Sequence, residues 1–269
     1  MSARLNSNER SLINKRGLID EKTEKRLKIN ASAFEGKRSS VCKGKSMEKK
    51  TIIISDEIRE ACPQFVGAAV YAEFENSEYS DELWQEIRGF IEEYRAKYTI
   101  DSIKQIASIE ATRQAYRRCG KDPSRYRPSG EALVRRTLQG KDLYQVDTAV
   151  DLINLASIAY GYSIGGFDYD KIDGDTLVLG IGREGEPYEG IGRGMLNIGG
   201  MPVYRDSVGG IGTPTSDNER TKMSMGTTKL LALVNGYDGD RDNVMRCAEF
   251  ICDLLRKYAS SDGGEIVTY

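Results

Sequence analysis

Hydrophobic and polar residues follow a regular spacing only from Thr51 onward. Apolar runs of strand-like composition cover Thr51–Ser55 and Phe65–Phe74. From Asp81 to Lys97 the apolar side chains recur every three or four residues, and Ser80 stands where a helix N-cap is expected. The pattern therefore predicts two strands followed by a long amphipathic helix.

The rest of the chain divides into a helical part, a strand-rich part and a closing helix. Further helices are predicted over Ile109–Cys119, Gly130–Gln139 with Ser129 as its N-cap, Val146–Tyr160 and Asp240–Tyr258. Further strands are predicted over Ser163–Phe167, Thr176–Ile181, Pro202–Arg205, Leu230–Val234 and, at a sheet edge, Gly264–Tyr269. Helices grouped before strands are typical of the α+β class and not of alternating α/β proteins.

The first 46 residues are polar and basic and lack this spacing. Residues 1–50 carry 14 basic and 6 acidic side chains, whereas the rest of the chain carries 25 and 35. A segment of high charge and low hydrophobicity cannot bury enough apolar surface to fold. We therefore expect residues 1–46 to form a disordered tail, Met47 to be the physiological start, and residues 47–269 to form a single domain.

The sequence contains no histidine. This excludes Ser-His-Asp and Cys-His catalysis and ordinary histidine metal sites, so any chemistry must come from carboxylates, hydroxyls, lysine or backbone N–H groups. The five cysteines show neither metal-ligand nor redox spacing, and we expect no metal and no cofactor. No apolar run approaches the roughly 20 residues that span a bilayer, and a signal-peptide core is not visible. These features predict a cytoplasmic protein without a membrane partner.

A basic and aromatic segment, Gly120–Arg136 (GKDPSRYRPSGEALVRR), stands out from an otherwise acidic body. Together with the helix before it, the segment offers cations and tyrosines that suit a phosphate backbone and an unstacked base. The candidate RNA-binding cations are Arg117, Arg118, Lys121, Arg125 and Arg127. The alternative is a solvated helix face whose cations pair with Glu110, Asp122 and Glu131.

A polar, glycine-spaced loop, Asp206–Thr228, lies between two predicted strands. Long loops in compact domains are uncommon and tend to be functional. Two glycines inside a strand, Gly165 and Gly166, indicate a bulge or the close approach of a ligand. The alternatives are a plain connection for the loop and packing alone for the glycines. The string Gly180–Gly185 fits G-x-G-x-x-G, but Pro187 and no helix follow it, so it indicates a hairpin and not a dinucleotide site.

Six segments occur in a particular order between residues 50 and 260. They are Arg113-x-x-Tyr116-Arg117, Gly120–Tyr126, Pro128-Ser129-x-Glu131-Ala132-Leu133-x-Arg135-Arg136, Val150-Asp151-x-x-Asn154, Ile164-Gly165-Gly166-x-Asp168, and Asp206-Ser207 through Pro214-Thr215-Ser216-Asp217 to Thr227-Thr228. As an ordered set they resemble the B-three/B-four domain of the phenylalanyl-tRNA synthetase β subunit. That domain binds and edits tRNA, and it also occurs as free-standing proteins.

The resemblance implies a three-layer α+β fold, sandwich-like, with central β-sheets and helices packed outside. It also implies a protein that hydrolyses mischarged aminoacyl-tRNA in trans and does not itself charge tRNA. On this basis the candidates for catalysis or for positioning water are Thr215, Ser216, Asp217 and Thr221. The substrate-binding candidates are Asn154, Gly165, Gly166, Thr213 and Glu219. The implied partner is aminoacylated tRNA, with the cations of the basic segment on its backbone.

Two other functions stay open from the sequence. A non-catalytic RNA-binding module would use the basic segment and not the polar loop. A protein that binds small molecules such as amino acids would use the loop, and its basic segment would be structural. The editing pockets of bacterial synthetase β subunits contain a histidine, which this chain lacks, so the resemblance does not fix tyrosine as the amino acid removed.

Overall fold

The computed structural model describes residues 47–269, and the tail predicted for residues 1–46 lies outside the described residues. The α-helices are α1 (Asp56–Ala61), α2 (Asp81–Lys97), α3 (Ala107–Arg118), α4 (Ser129–Leu138), α5 (Thr148–Tyr160) and α6 (Arg241–Tyr258). The strands are β1 (Thr51–Ile54), β2 (Val66–Glu73), β3 (Ile164–Asp168), β4 (Thr176–Ile181), β5 (Glu189–Gly190), β6 (Gly194–Met195), β7 (Pro202–Arg205), β8 (Gly210–Gly212), β9 (Lys229–Gly236) and β10 (Glu265–Thr268). Each helix and strand predicted from the spacing of apolar residues is present, with ends that differ by a few residues at most.

The strands form two four-stranded sheets and one two-residue ladder between β5 and β6. The first sheet has the order β1-β4-β7-β8, and its β1–β4 pair is parallel, with Thr51 opposite Thr176. The second sheet has the order β10-β2-β9-β3 and is antiparallel, with Gly165 of β3 opposite Leu233 of β9. The last strand, β10, therefore lies at a sheet edge, as the sequence predicted.

The two faces of the second sheet belong to different hydrophobic cores. On one face Ala69 and Tyr71 of β2 pack with Leu177 and Leu179 of the first sheet. On the other face Ala68 of β2 belongs to a core that includes side chains of α2, α5 and α6. Because both faces are buried, β2 has a nearly continuous apolar run in place of alternation. The layers are helices, second sheet and first sheet, so the predicted α+β class with a sandwich-like arrangement of sheets is confirmed.

Helix α5 is buried along most of its length and carries one acidic side chain, Asp151, into the interior. Trp84 Nε1 of α2 donates to its carboxylate at 2.7 Å, and the Val146 N–H donates at 3.2 Å. Burial raises the pKa of Asp151 to about 6 in spite of these donors. The interaction joins α5 to α2 within the helical layer, so it gives Asp151 a structural role.

Several local features differ from the prediction, among them helix α1 and the cap of α4. Helix α1 was not predicted, because its six residues are too few to show a helical period. Ser129 is the first residue of α4 and not its N-cap, since Pro128 takes the cap position. The Ser129 N–H donates to the carbonyl oxygen of Pro214 at 2.7 Å. The N-terminus of α4 is thereby attached to the polar loop.

Within residues 47–269, no helix has the length and apolar character that crossing a membrane requires. The same residues contain no group of three or more histidine, cysteine, aspartate or glutamate side chains arranged to hold a metal ion.

Candidate functional site

The polar loop Asp206–Thr228 folds back on itself in a tight turn at the end of β8. Thr213 Oγ1 accepts the N–H of Ser216 at 3.2 Å and donates to the Ser216 carbonyl oxygen at 3.0 Å. The returning chain then pairs with β8, so that Asp217 lies opposite Gly212. The loop is therefore a hydrogen-bonded structure and not a plain connection.

An ion pair fixes the base of this loop. Arg220 donates from Nη1 and Nη2 to the two carboxylate oxygens of Asp206, at 2.9 and 2.8 Å. The N–H groups of Asp173, Val208 and Gly209 donate to the same carboxylate. Burial opposes ionisation, but these donors hold the pKa of Asp206 below its ordinary value. Asp206 is thus a charged anchor that joins the start of the loop to Arg220.

Arg220→Gln is expected to destabilise the fold by about 2–4 kcal/mol, because it leaves the buried Asp206 carboxylate without its cation. The loss stays below that of a fully buried pair since the Arg220 side chain is 32% exposed. Urea unfolding followed by circular dichroism measures it. Arg88→Gln is the control, because the Arg88–Asp81 pair is mostly exposed and such pairs contribute about 0–1 kcal/mol. Equal losses in the two variants would contradict the anchoring role.

Asp217 lies beside three glycines, two on β3 and one on β8. Its carboxylate accepts the Gly166 N–H of β3 at 3.0 Å. A Cβ atom added to Gly212 would come within 3.0 Å of Asp217 Oδ1, and one added to Gly165 within 3.5 Å. Burial raises the pKa of Asp217 to about 7, and the single Gly166 donor only partly offsets this. The group therefore changes its protonation state near neutral pH.

A small cavity opens beside Asp217, between the two sheets. Its polar lining comes from Thr213, Asp217, Tyr204, Asn235 and Tyr237. The space available to the centre of a water-sized sphere is about 10 Å³, which corresponds to about one water molecule. The buried ring of Phe167 fills the space between Gly165 and Gly212. The cavity as it stands therefore takes a water-sized group and not an amino-acid side chain.

Three of the predicted hydroxyls lie outside the lining of this cavity. The hydroxyl of Thr215 lies 2.7 Å from the Tyr116 hydroxyl and donates to the Tyr126 carbonyl oxygen at 3.1 Å. Ser216 Oγ donates to the carbonyl oxygen of Asp217 at 3.2 Å, and Thr221 is fully buried. Of the four residues predicted for catalysis, the structure places Asp217 at the cavity, and Thr215 joins the loop to the basic segment.

The predicted substrate-binding residues are divided in the same way. Gly165 and Thr213 line the cavity, and Gly166 supplies the N–H that Asp217 accepts. Asn154 lies on α5, outside the lining. Glu219 accepts the Gly192 N–H at 3.2 Å and pairs with Lys222. Its side chain therefore points away from the cavity, towards the turn between β5 and β6. The structure therefore brings together three of these five residues.

Comparison with known proteins gives the family. The B3/4 domain matches residues 111–260, more than half of the chain. This chain belongs to the B3/4 domain family. The resemblance to the B-three/B-four domain of the phenylalanyl-tRNA synthetase β subunit is thereby confirmed.

One similar solved structure is an N-terminal fragment of the phenylalanyl-tRNA synthetase β subunit from Pyrococcus horikoshii. The sequence identity is 15% and the TM-score 0.41, over 82% of this chain and 52% of that one. This chain therefore spans about half the length of that fragment. No curated protein matches this chain.

The sequence did not indicate several residues of the B3/4 domain's cavity. Asn235 accepts the Tyr204 hydroxyl at 2.7 Å and donates to the Ser163 carbonyl oxygen at 3.1 Å. The buried hydroxyl of Tyr237 has no hydrogen-bond partner among the described residues. The sequence feature that could have indicated them is Asn235-Gly236-Tyr237, where a polar side chain follows the apolar run of β9.

The cations of the basic segment and of the helix before it differ in how far they are exposed. Lys121 is buried, donates to the Asn197 carbonyl oxygen at 2.8 Å and lies 4.0 Å above the Tyr126 ring. Burial lowers the pKa of Lys121. Arg118 and Arg125 are exposed, whereas Arg117 and Arg127 pair with Glu110 at 3.2 Å and Glu131 at 3.6 Å. All four arginines keep part of their surface in solvent, where RNA could contact them. Lys121 is buried in the fold and is not accessible in this way.

Proposed function

We propose that this protein hydrolyses the ester bond of aminoacyl-tRNA in trans. The observation that supports it best is the environment of Asp217. Its carboxyl lies beside a cavity for one water molecule, and burial raises its pKa to about 7. A general base works best when its pKa lies near the operating pH. In a protein without histidine, such a carboxylate is suited to the part that histidine plays in many hydrolases.

The proposed reaction needs no covalent intermediate with the protein. Asp217 accepts a proton from water as the water oxygen attacks the ester carbonyl carbon. The bond between that carbon and the ribose oxygen then breaks, and the ribose oxygen takes up the proton that Asp217 received. The products are a free amino acid and a tRNA with a free terminal hydroxyl. The neighbouring ribose hydroxyl already activates the ester, so correct placement of water and ester supplies much of the acceleration.

The position of the basic segment supports an RNA substrate. Thr215, two residues before Asp217, touches Tyr116 of α3 and the Tyr126 carbonyl oxygen. The exposed Arg125 lies in the same segment as Tyr126. A nucleic-acid backbone on this segment would therefore bring its esterified end towards the turn that carries Asp217.

The test is a panel of mischarged tRNAs, each incubated with the protein and with buffer alone. We expect release of the amino acid above the buffer rate, fastest for small side chains because the attacking water fills the cavity and leaves no room there for a large side chain. Release no faster than in buffer across the panel would overturn the proposal. Tight binding of uncharged tRNA without release would favour the RNA-binding module, and binding of free amino acids without tRNA binding would favour the small-molecule binder.

A further inference from the structure

Glu131, in the first turn of α4, is a buried carboxylate surrounded by cations from α3, from the loop before α4 and from the last turn of α4. The Glu131 side chain is 2% exposed and pairs with three guanidinium groups. Arg113 Nη1 lies 2.8 Å from Oε2, whereas Arg135 Nη2 and Arg127 Nε lie 3.0 and 3.6 Å from Oε1. We name Arg113, Arg127 and Arg135 the arginine clamp.

The arginine clamp has more hydrogen-bond donors than the acceptors around it can satisfy. Glu110 lies 3.8 Å from Arg113 but also pairs with Arg117 at 3.2 Å, so its charge is shared. Arg113 Nη2 donates to Ser124 Oγ at the long distance of 3.4 Å. The Nε of Arg135 is buried and has no acceptor among the described residues. Three guanidinium groups around one buried carboxylate leave an excess of positive charge. This excess favours the binding of a further anion on the solvent side, where the Arg127 side chain is 44% exposed.

The clamp stands next to the wall of the cavity. Two residues before Glu131, the Ser129 N–H donates to the Pro214 carbonyl oxygen at 2.7 Å. The Gly130 N–H donates to Ser163 Oγ at 3.1 Å, and Pro214 itself lines the cavity. Backbone N–H groups at a helix N-terminus also favour negative charge nearby. A phosphate held by the clamp would therefore lie on the side of α4 that is attached to the loop carrying Asp217.

We propose that the arginine clamp binds a backbone phosphate in the single-stranded 3′ end of the tRNA substrate. This inference rests on the proposed function and names the part of the RNA held beside the cavity. Guanidinium groups bind phosphate oxygens through paired hydrogen bonds of fixed geometry. A phosphodiester near the esterified ribose, held there, fixes the ester at the cavity and restricts its motion.

The test compares the full chain with the double variant R113Q/R127Q in binding to uncharged tRNA. The double variant loses charge-assisted hydrogen bonds to the phosphate, so it is expected to bind at least about tenfold more weakly. The slope of log K against log salt concentration should fall by about 0.7–0.9 for each phosphate that the variant no longer neutralises. R127Q alone, at the most exposed of the three arginines, should show a smaller change of the same sign and guards against misfolding of the double variant. R88Q, an exposed arginine on α2, is the matched control and should bind like the unchanged protein.

A tRNA lacking its single-stranded 3′ end separates this inference from general attraction to RNA. On the shortened tRNA the double variant and the unchanged protein should bind equally. Wild-type affinity and salt slope in both variants, or an undiminished difference on the shortened tRNA, would overturn the clamp. In either case release of amino acids from the mischarged panel would still stand as evidence for the hydrolase. Conversely, suppose that the clamp variants lose tRNA affinity as expected while the protein releases no amino acid from any mischarged tRNA. That result would support the phosphate site and overturn the proposed hydrolase.

Discussion

Asp217→Asn is expected to slow ester hydrolysis by about 10²–10⁴-fold, the usual contribution of a positioned general base. Asparagine keeps the size of the side chain and can still accept the Gly166 N–H, but it cannot take a proton from water. Affinity for uncharged tRNA should stay the same, because Asp217 lies at the cavity and not on the basic segment. Single-turnover release of labelled amino acid measures the rate, and filter binding measures the affinity. A variant that hydrolyses at the wild-type rate would exclude Asp217 as the base.

The pH profile of hydrolysis follows from the same group. The base acts in its ionised form, and burial raises its pKa to about 7. The wild-type rate should therefore rise with pH up to about 7 and level off above it, after subtraction of the hydroxide-driven rate in buffer. The Asp217→Asn rate, treated in the same way, should lack this bend.

Thermal melts give an independent check on the ionisation of Asp217. Its pKa is about 7 in the folded protein and about 3.9 when unfolded, so between these values the folded state binds more protons. Stability contributed by this group therefore falls as pH rises from about 4 to about 7. Asp217→Asn should melt above the wild type at pH 8, and the gain should shrink towards pH 4. A variant that melts lower at pH 8 would show that the ionised carboxylate stabilises the fold.

The sequence predicts the elements of this fold well where the apolar period is long. Helix α2 has seventeen residues and the Ser80 cap, and its observed ends coincide with the predicted ones. Helix α1, with six residues, and the short strand β8 lie below the length at which a period can be recognised. The pairing of distant strands could not be predicted from the sequence. Strand register depends on residue pairs such as Gly165 opposite Leu233, and no local pattern indicates them.

The site was predictable as a region and not as a set of side chains. The polar loop carries several hydroxyls at close spacing, and only the hydrogen-bonded turn at Thr213 decides which of them reach the cavity. Thr215 faces Tyr116 instead. Lys121 is of a residue type that binds RNA, yet its ammonium group lies above the Tyr126 ring and donates to the Asn197 carbonyl oxygen. Composition indicates which groups are available, and tertiary packing decides which of them are free.

Phe167→Ala is expected to have the second large effect, on stability and on substrate range together. Phe167 is fully buried between the two sheets and packs against the positions of Gly165 and Gly212. Truncation of a buried phenylalanine to alanine costs about 3–5 kcal/mol, because the surrounding structure closes only part of the space left. Urea unfolding should show a loss of this size.

The space opened by this truncation adjoins Asp217 and the water-sized cavity. An apolar cavity of about 150 Å³ in another protein stays dry and accepts benzene, so the variant should accept an aromatic side chain where the wild type does not. We expect Phe167→Ala to increase the ratio of tyrosyl- or phenylalanyl-tRNA hydrolysis to that of alanyl-tRNA, measured at a temperature where it is folded. Phe90→Ala is the matched control, since Phe90 is also a buried phenylalanine but belongs to the helical core. It should lose similar stability and keep the wild-type ratio. An unchanged ratio in Phe167→Ala would show that the acyl side chain binds outside the cavity, and a changed ratio in Phe90→Ala would show that general loosening of the fold sets the substrate range.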